Sequence, residues 1–188
     1  DLIEEVARLV GFDRFGSHLP DPIVPGRLTP IQQAERRLRR LFIGCGLQEI
    51  TTLSLVGPSE AEERIPLTNP LLAETSHLRT NLWEEHLQVC VRNLKASQTG
   101  CWIFELGHTF SGRADGVDQS ACLSGMICGE RRMERWSSNG KPVHLGYFEA
   151  RGVLGAVMQA LKLEISDRRL DNDARLHPGR AATLVLEG

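Results

Sequence analysis

Cys101-Trp102-Ile103-Phe104-Glu105-Leu106-Gly107-His108-Thr109-Phe110, followed by Ala121-Cys122-Leu123-Ser124-Gly125-Met126-Ile127-Cys128, is the stretch that decides the fold. Both runs are rich in apolar, aromatic and branched side chains, and Gly112, Asp115, Gly116 and Asp118 lie between them. That pattern reads as two strands joined by a hairpin loop. Working downstream, Tyr147 to Leu161 reads as a helix with Val153, Leu154, Val157 and Leu161 inward. Two further strands are expected near 163–170 and 181–186, around a loop holding His177-Pro178-Gly179, while 130–142 is polar and irregular.

Upstream, a helix is expected from Thr80 or Asn81, either of which can cap it, with Glu84 and Glu85 in its first turn. Trp83, Leu87, Cys90, Val91 and Leu94 are its expected buried face. Before it come turns at Gly57-Pro58 and Asn69-Pro70 and an expected strand over Glu49–Leu55. Thr29-Pro30-Ile31-Gln32 predicts a sharp helix start: Thr29 caps, Pro30 fits the first helical position and Gln32 completes a capping box. That helix places Ile31, Ala34, Leu38, Leu41 and Phe42 on one side and Arg36, Arg37, Arg39 and Arg40 on the others. Residues 16–28, rich in proline, read as a linker, and residues 1–10 as a short helix stopped by Gly11. The strands occur in runs whose loops are too short for βαβ crossovers, so the expected class is α+β, a largely antiparallel sheet flanked by helices.

The chain has 188 residues, 41% apolar and 24% charged, enough for one sizeable core. Its 22 basic and 24 acidic residues leave a net charge of −2, against the basic excess a dedicated nucleic-acid binder uses to neutralise phosphates. No apolar run approaches the roughly 18 residues that cross a membrane, and no basic-then-apolar leader is present, so a cytoplasmic location is expected. The start at Asp1 inside a helical pattern and the end at Glu187-Gly188 read as cuts in a longer chain. Cys45, Cys90, Cys101, Cys122 and Cys128 show no C-x-x-C spacing and sit beside apolar residues, which suits reduced core thiols better than zinc ligands or disulfides.

Four segments, taken in order, resemble the phenylalanyl-tRNA synthetase β-subunit family of bacterial type. They are Asp1 to Leu9 with Gly11-Phe12-Asp13; Asn69-Pro70-Leu71 with Ser76-His77-Leu78-Arg79-Thr80-Asn81-Leu82 and on to Asn93; Phe104-Glu105-Leu106-Gly107 with Phe110; and Tyr147-Phe148-Glu149-Ala150-Arg151-Gly152 joined to Leu176-His177-Pro178-Gly179-Arg180-Ala181-Ala182. The resemblance implies that 1–15 is the last helix of a B5-like domain, 16–28 a linker, and 29–188 the B6–B7 module. That module is a class II aminoacyl-tRNA synthetase-like sheet without catalytic function. It further implies a holoenzyme, phenylalanine–tRNA ligase, that uses ATP and Mg²⁺. In it this region supports the catalytic α subunit of an α2β2 assembly that charges tRNA(Phe), with neither cofactor held tightly by the region itself. Two rival readings are a free RNA-binding module, which the charge balance opposes, and an amino-acid-binding enzyme of class II descent. Against the latter, a class II site needs an Arg two positions before a strand acid, and position 103 is Ile; nor is there a glycine-rich strand-to-helix segment ending in Glu-Arg.

Among candidate sites, Asp1, Glu4 and Glu5 fall on one helical face. The resemblance implies that such acids, with one more upstream, hold Mg²⁺; the plain alternative is that they complement the helix dipole. His177 has no Ser or Cys motif partner and reads as a turn residue, with Arg180 left to pair with a carboxylate or a neighbouring subunit. The arginines of helix 31–43 are a solvated face or a contact for the α subunit or tRNA. Trp83, Trp102 and Trp136 are too scattered for a base-stacking platform, the first two reading as core. Exposed interface surface leaves self-association of the isolated region open.

Overall fold

The computed structural model describes residues 1–19, 21, 26–114, 116–130, 139–170, 173, 175–177 and 179–187. Two long strands organise it: β4 (Gly100–Arg113) and β5 (Gly116–Gly129) pair antiparallel along their whole length, from Gly100 opposite Gly129 to Arg113 opposite Gly116. The short strand β1 (Gln48–Glu49) adds parallel to β4, giving the sheet order β1-β4-β5. Two smaller antiparallel pairs stand beside it: β2 (Leu55–Val56) with β3 (His77–Leu78), and β6 (Glu164–Arg169) with β7 (Ala182–Glu187).

Alternation along β4 sends Trp102 and Phe104 to one face and Cys101, Ile103 and Glu105 to the other. The first face packs on helices α2 (Pro30–Gly44) and α4 (Tyr147–Leu161), where Phe42, Leu47, Phe104 and Val157 form a buried cluster. The Phe42 and Phe104 rings stack with centroids 5.2 Å apart. The second face packs on α3 (Trp83–Lys95), with Cys90, Cys101 and Ile103 at its centre. Sheet and helices therefore form an α+β sandwich, as expected, with one parallel pairing in an otherwise antiparallel set.

The start of α2 follows local chemistry. Thr29 Oγ1 accepts from the Gln32 amide at 3.3 Å while Gln32 Oε1 accepts from the Thr29 amide at 2.9 Å, the reciprocal pair of a capping box. Helix α4 has the expected bounds, and α1 (Leu2–Val10) ends at Gly11, whose φ of 98° only glycine adopts without strain.

Two expectations are corrected. The strand foreseen over Glu49–Leu55 is only β1 and β2, because between them the carbonyls of Thr52 and Leu53 accept from the Arg79 guanidinium and that of Ser54 from the Arg79 amide. The buried residues of α3 are Cys90, as expected, and His86, with Leu82 buried just before the helix, while Leu87 and Leu94 are 45% and 44% exposed. The core there accepts a histidine that an apolar count passes over. Trp102 joins the α2–α4 cluster as expected, whereas Trp83 is half-buried with the Arg175 guanidinium 5.7 Å above its ring. Trp136 and Pro178 lie outside the described residues.

Candidate functional site

The chemistry-bearing residues that the fold gathers most tightly lie between the sheet and α3. Glu105 points from β4 toward α3, whose His86 faces back, and Arg79 follows β3 into the same space. The three are 2%, 0% and 4% exposed. Glu105 accepts from the Thr52 hydroxyl at 2.7 Å and His86 Nε2 at 3.1 Å, and meets Arg79 Nη2 at 3.2 Å. Arg79 also donates through Nε to the His108 carbonyl at 2.8 Å and through Nη1 to Thr52 Oγ1 at 2.7 Å. Ser124 of β5 lies 3.3 Å from His86 Nδ1.

One proton arrangement satisfies every contact with a neutral histidine. Nε2–H donates to the carboxylate, the Ser124 hydroxyl donates to Nδ1, and Thr52 accepts from Arg79 while donating to Glu105. Burial is the largest influence on the Glu105 carboxyl and pushes its pKa up. The Thr52 hydroxyl, His86, the Thr52 backbone and the Arg79 charge together outweigh it, so the net shift is downward. The result is a closed ion pair with each partner fully engaged. Gly107 makes room for it: a Cβ there would lie 2.7 Å from Arg79 Nη2 and 2.9 Å from Glu105 Oε1. This arrangement pins the segments around Thr52 and Arg79 to the sheet, with its carboxylate and guanidinium turned to each other. Sequence reasoning had placed Glu105 and Arg79 in motifs but missed their pairing, and missed His86 and Thr52 altogether. A polar residue at helical spacing inside an apolar face was the available signal.

Before α3, whose N-cap position is held by Leu82 without a side-chain bond, Asn81 Oδ1 accepts from the Glu84 amide at 3.1 Å, while its amide group donates to Glu62. Thr80 also hydrogen-bonds Glu62. Asp1, Glu4 and Glu5 lie at the start of α1, with Glu5 paired to Arg8. Among the described residues no three His, Cys, Asp or Glu side chains come together as a metal-holding group. His177 Nδ1 accepts from the Gly179 amide at 3.1 Å, a turn-forming role, and the Arg180 amide bonds the His177 carbonyl at 2.9 Å. The two ends of the fourth segment nevertheless meet, for Tyr147, Phe148 and Arg180 line one cleft of about 570 Å³.

None of the five cysteines forms a disulfide, and Cys90 and Cys101 are buried. Burial first, then the neighbouring Cys101 and Cys128 thiols, raise the Cys90 pKa, which keeps it from the thiolate form that metals bind. Among the described residues no helix is long and apolar enough to cross a membrane.

Known proteins match this chain as follows. The family model described as the phenylalanyl tRNA synthetase beta chain CLM domain matches residues 17–188. The phenylalanine–tRNA ligase beta subunit of Parasynechococcus marenigrum (strain WH8102) is 74% identical over 188 residues, and that of Prochlorococcus marinus (strain MIT 9313) is 58% identical over 189. All of this chain is covered in both matches, but it spans only 23% of either relative's length. Among solved structures, the pyrrolysyl tRNA synthetase of Desulfitobacterium hafniense aligns with a TM-score of 0.49 at 13% identity, over 76% of this chain and 50% of that one.

Proposed function

Since this chain belongs to the phenylalanyl-tRNA synthetase β-chain family, we infer that it is a scaffold and interface module of phenylalanine–tRNA ligase. In this reading residues 1–15 close a B5-like domain, 16–28 link, and 29–188 are a class II synthetase-like B6–B7 module that supports the catalytic α subunit in an α2β2 assembly. The holoenzyme, working in the cytoplasm, would use ATP and Mg²⁺ to activate phenylalanine and load it onto tRNA(Phe). The observation that carries the non-catalytic part is the closed Arg79–Glu105–His86 group. Transfer chemistry on a triphosphate needs cations aimed at the substrate, and here the arginine beside the strand acid is buried against it.

Asp1, Glu4 and Glu5 belong to this reading as contributors to a Mg²⁺ site, with a further acid supplied from upstream. Mg²⁺ takes a few carboxylates and keeps several waters, which suits three acids at the head of one helix, although Glu5 must leave Arg8 to take part. Glu4→Gln with Glu5→Gln in the full β subunit is expected to weaken Mn²⁺ binding, followed by electron paramagnetic resonance. Unchanged binding would return these acids to the helix dipole.

The assembly is tested by light scattering on a sizing column, with this chain alone and then mixed with a bacterial phenylalanyl-tRNA synthetase α subunit. A joint peak is expected, together with no ATP–pyrophosphate exchange by the chain alone. Exchange by the chain alone would overturn the non-catalytic reading, and separate peaks would show that these residues do not suffice for docking.

A further inference from the structure

Helix α2 carries four arginines within five residues, and the chain itself uses two of them. Arg39 donates through Nε to Glu49 at 2.7 Å and lies 3.4 Å from Glu35. Arg37 donates to the Ala160 carbonyl at 2.7 Å, near the end of α4 where carbonyls lack helical partners. Arg36 and Arg40 have no hydrogen-bond or ionic partner among the described residues, and both are exposed. They stand one helical turn apart, where like charges repel and destabilise a helix.

With Arg37, these two line an open cleft of about 470 Å³ between α2 and the end of α4, together with Leu28, Ala34 and Leu161. We propose that this cleft seats a carboxylate-bearing segment of a protein partner, an Asp or Glu side chain entering between Arg36 and Arg40 over the apolar floor. Guanidinium groups present paired donors that match a carboxylate in plane. Arg37, held to Ala160, narrows the space from one side. An apolar floor beside two cations suits a protein surface, where arginine and apolar contacts occur together. A phosphate backbone fits it less well. It is followed by basic stripes, whereas this chain carries a net charge of −2 and Glu35 adjoins Arg36 in the same helix.

The proposal deepens the scaffold reading and takes from it only the existence of a protein partner. The test uses the full β subunit with the α subunit, comparing wild type, R36E/R40E and R36K/R40K over a range of salt. R36E/R40E is expected to weaken subunit association on the order of tenfold or more and to flatten its salt dependence. R36K/R40K should keep the salt dependence and lose less affinity, and the melting of all three should agree. R36E/R40E associating like wild type would overturn the cleft's role while leaving the scaffold reading intact. So would lost tRNA affinity with unchanged subunit association, which would give the cleft to phosphate. Failure of wild type to associate would overturn both readings.

Discussion

Gly107 is the residue on which the buried ion pair depends. Any side chain there must displace the Arg79 guanidinium, the Glu105 carboxylate or Leu82, whose Cδ2 would lie 3.2 Å from the added carbon. Gly107→Ala is therefore expected to destabilise the chain by about 1–3 kcal/mol through overpacking, measured as a shift in the urea midpoint. Arg79→Met strands a buried carboxylate and should cost about 3–5 kcal/mol. Equal midpoints for Gly107→Ala and wild type would show that the guanidinium relaxes freely. The pH dependence has a definite sign. Glu105 is held below its ordinary value of 4.5 in the fold, so its ionised form contributes fully above that value. The contribution is lost as the pH falls from there through the lower folded pKa. Glu105→Gln should flatten the acid limb of the stability curve, and an unchanged limb would show that other carboxylates set it.

Among the elements, legibility followed locality. The start of α2 could be read from four consecutive residues because a capping box closes within one turn. Thr29→Ala should cost about 1 kcal/mol, and a cost near zero in thermal melts would mean that packing alone holds this end. The span of α4 was equally readable from the apolar spacing of Val153, Leu154, Val157 and Leu161. What could not be read depended on distant partners. Residues 51–54 have the composition of a strand, yet the carbonyls of Thr52, Leu53 and Ser54 serve Arg79, which stands more than twenty positions later in the chain. The buried face of α3 turned toward His86 because Glu105 and Ser124 wait opposite it, a reason visible only once β4 and β5 are set side by side. Likewise, the four arginines of α2 looked alike until Glu49 and Ala160 divided them.

For the whole molecule, exposed apolar surface is concentrated at α1, where Leu2, Ile3 and Leu9 are 85%, 86% and 88% exposed. Their replacement by Ser, Gln and Gln should reduce self-association of the isolated chain, read by light scattering, without lowering its melting temperature; continued association would move the sticky surface elsewhere. The cluster joining Phe42, Phe104 and Val157 has a consequence for synthesis. Phe42 and Phe104 can stack as soon as the hairpin exists, but Val157 is made last of the three. At about 5–20 residues per second, a ribosome needs a few seconds to pass from Gly129, where the hairpin is complete, to Val157, and during that interval one face of the hairpin has no α4 to cover it. The nascent chain therefore carries an open aromatic patch that a ribosome-bound chaperone can reach, until α4 leaves the exit tunnel and shuts it.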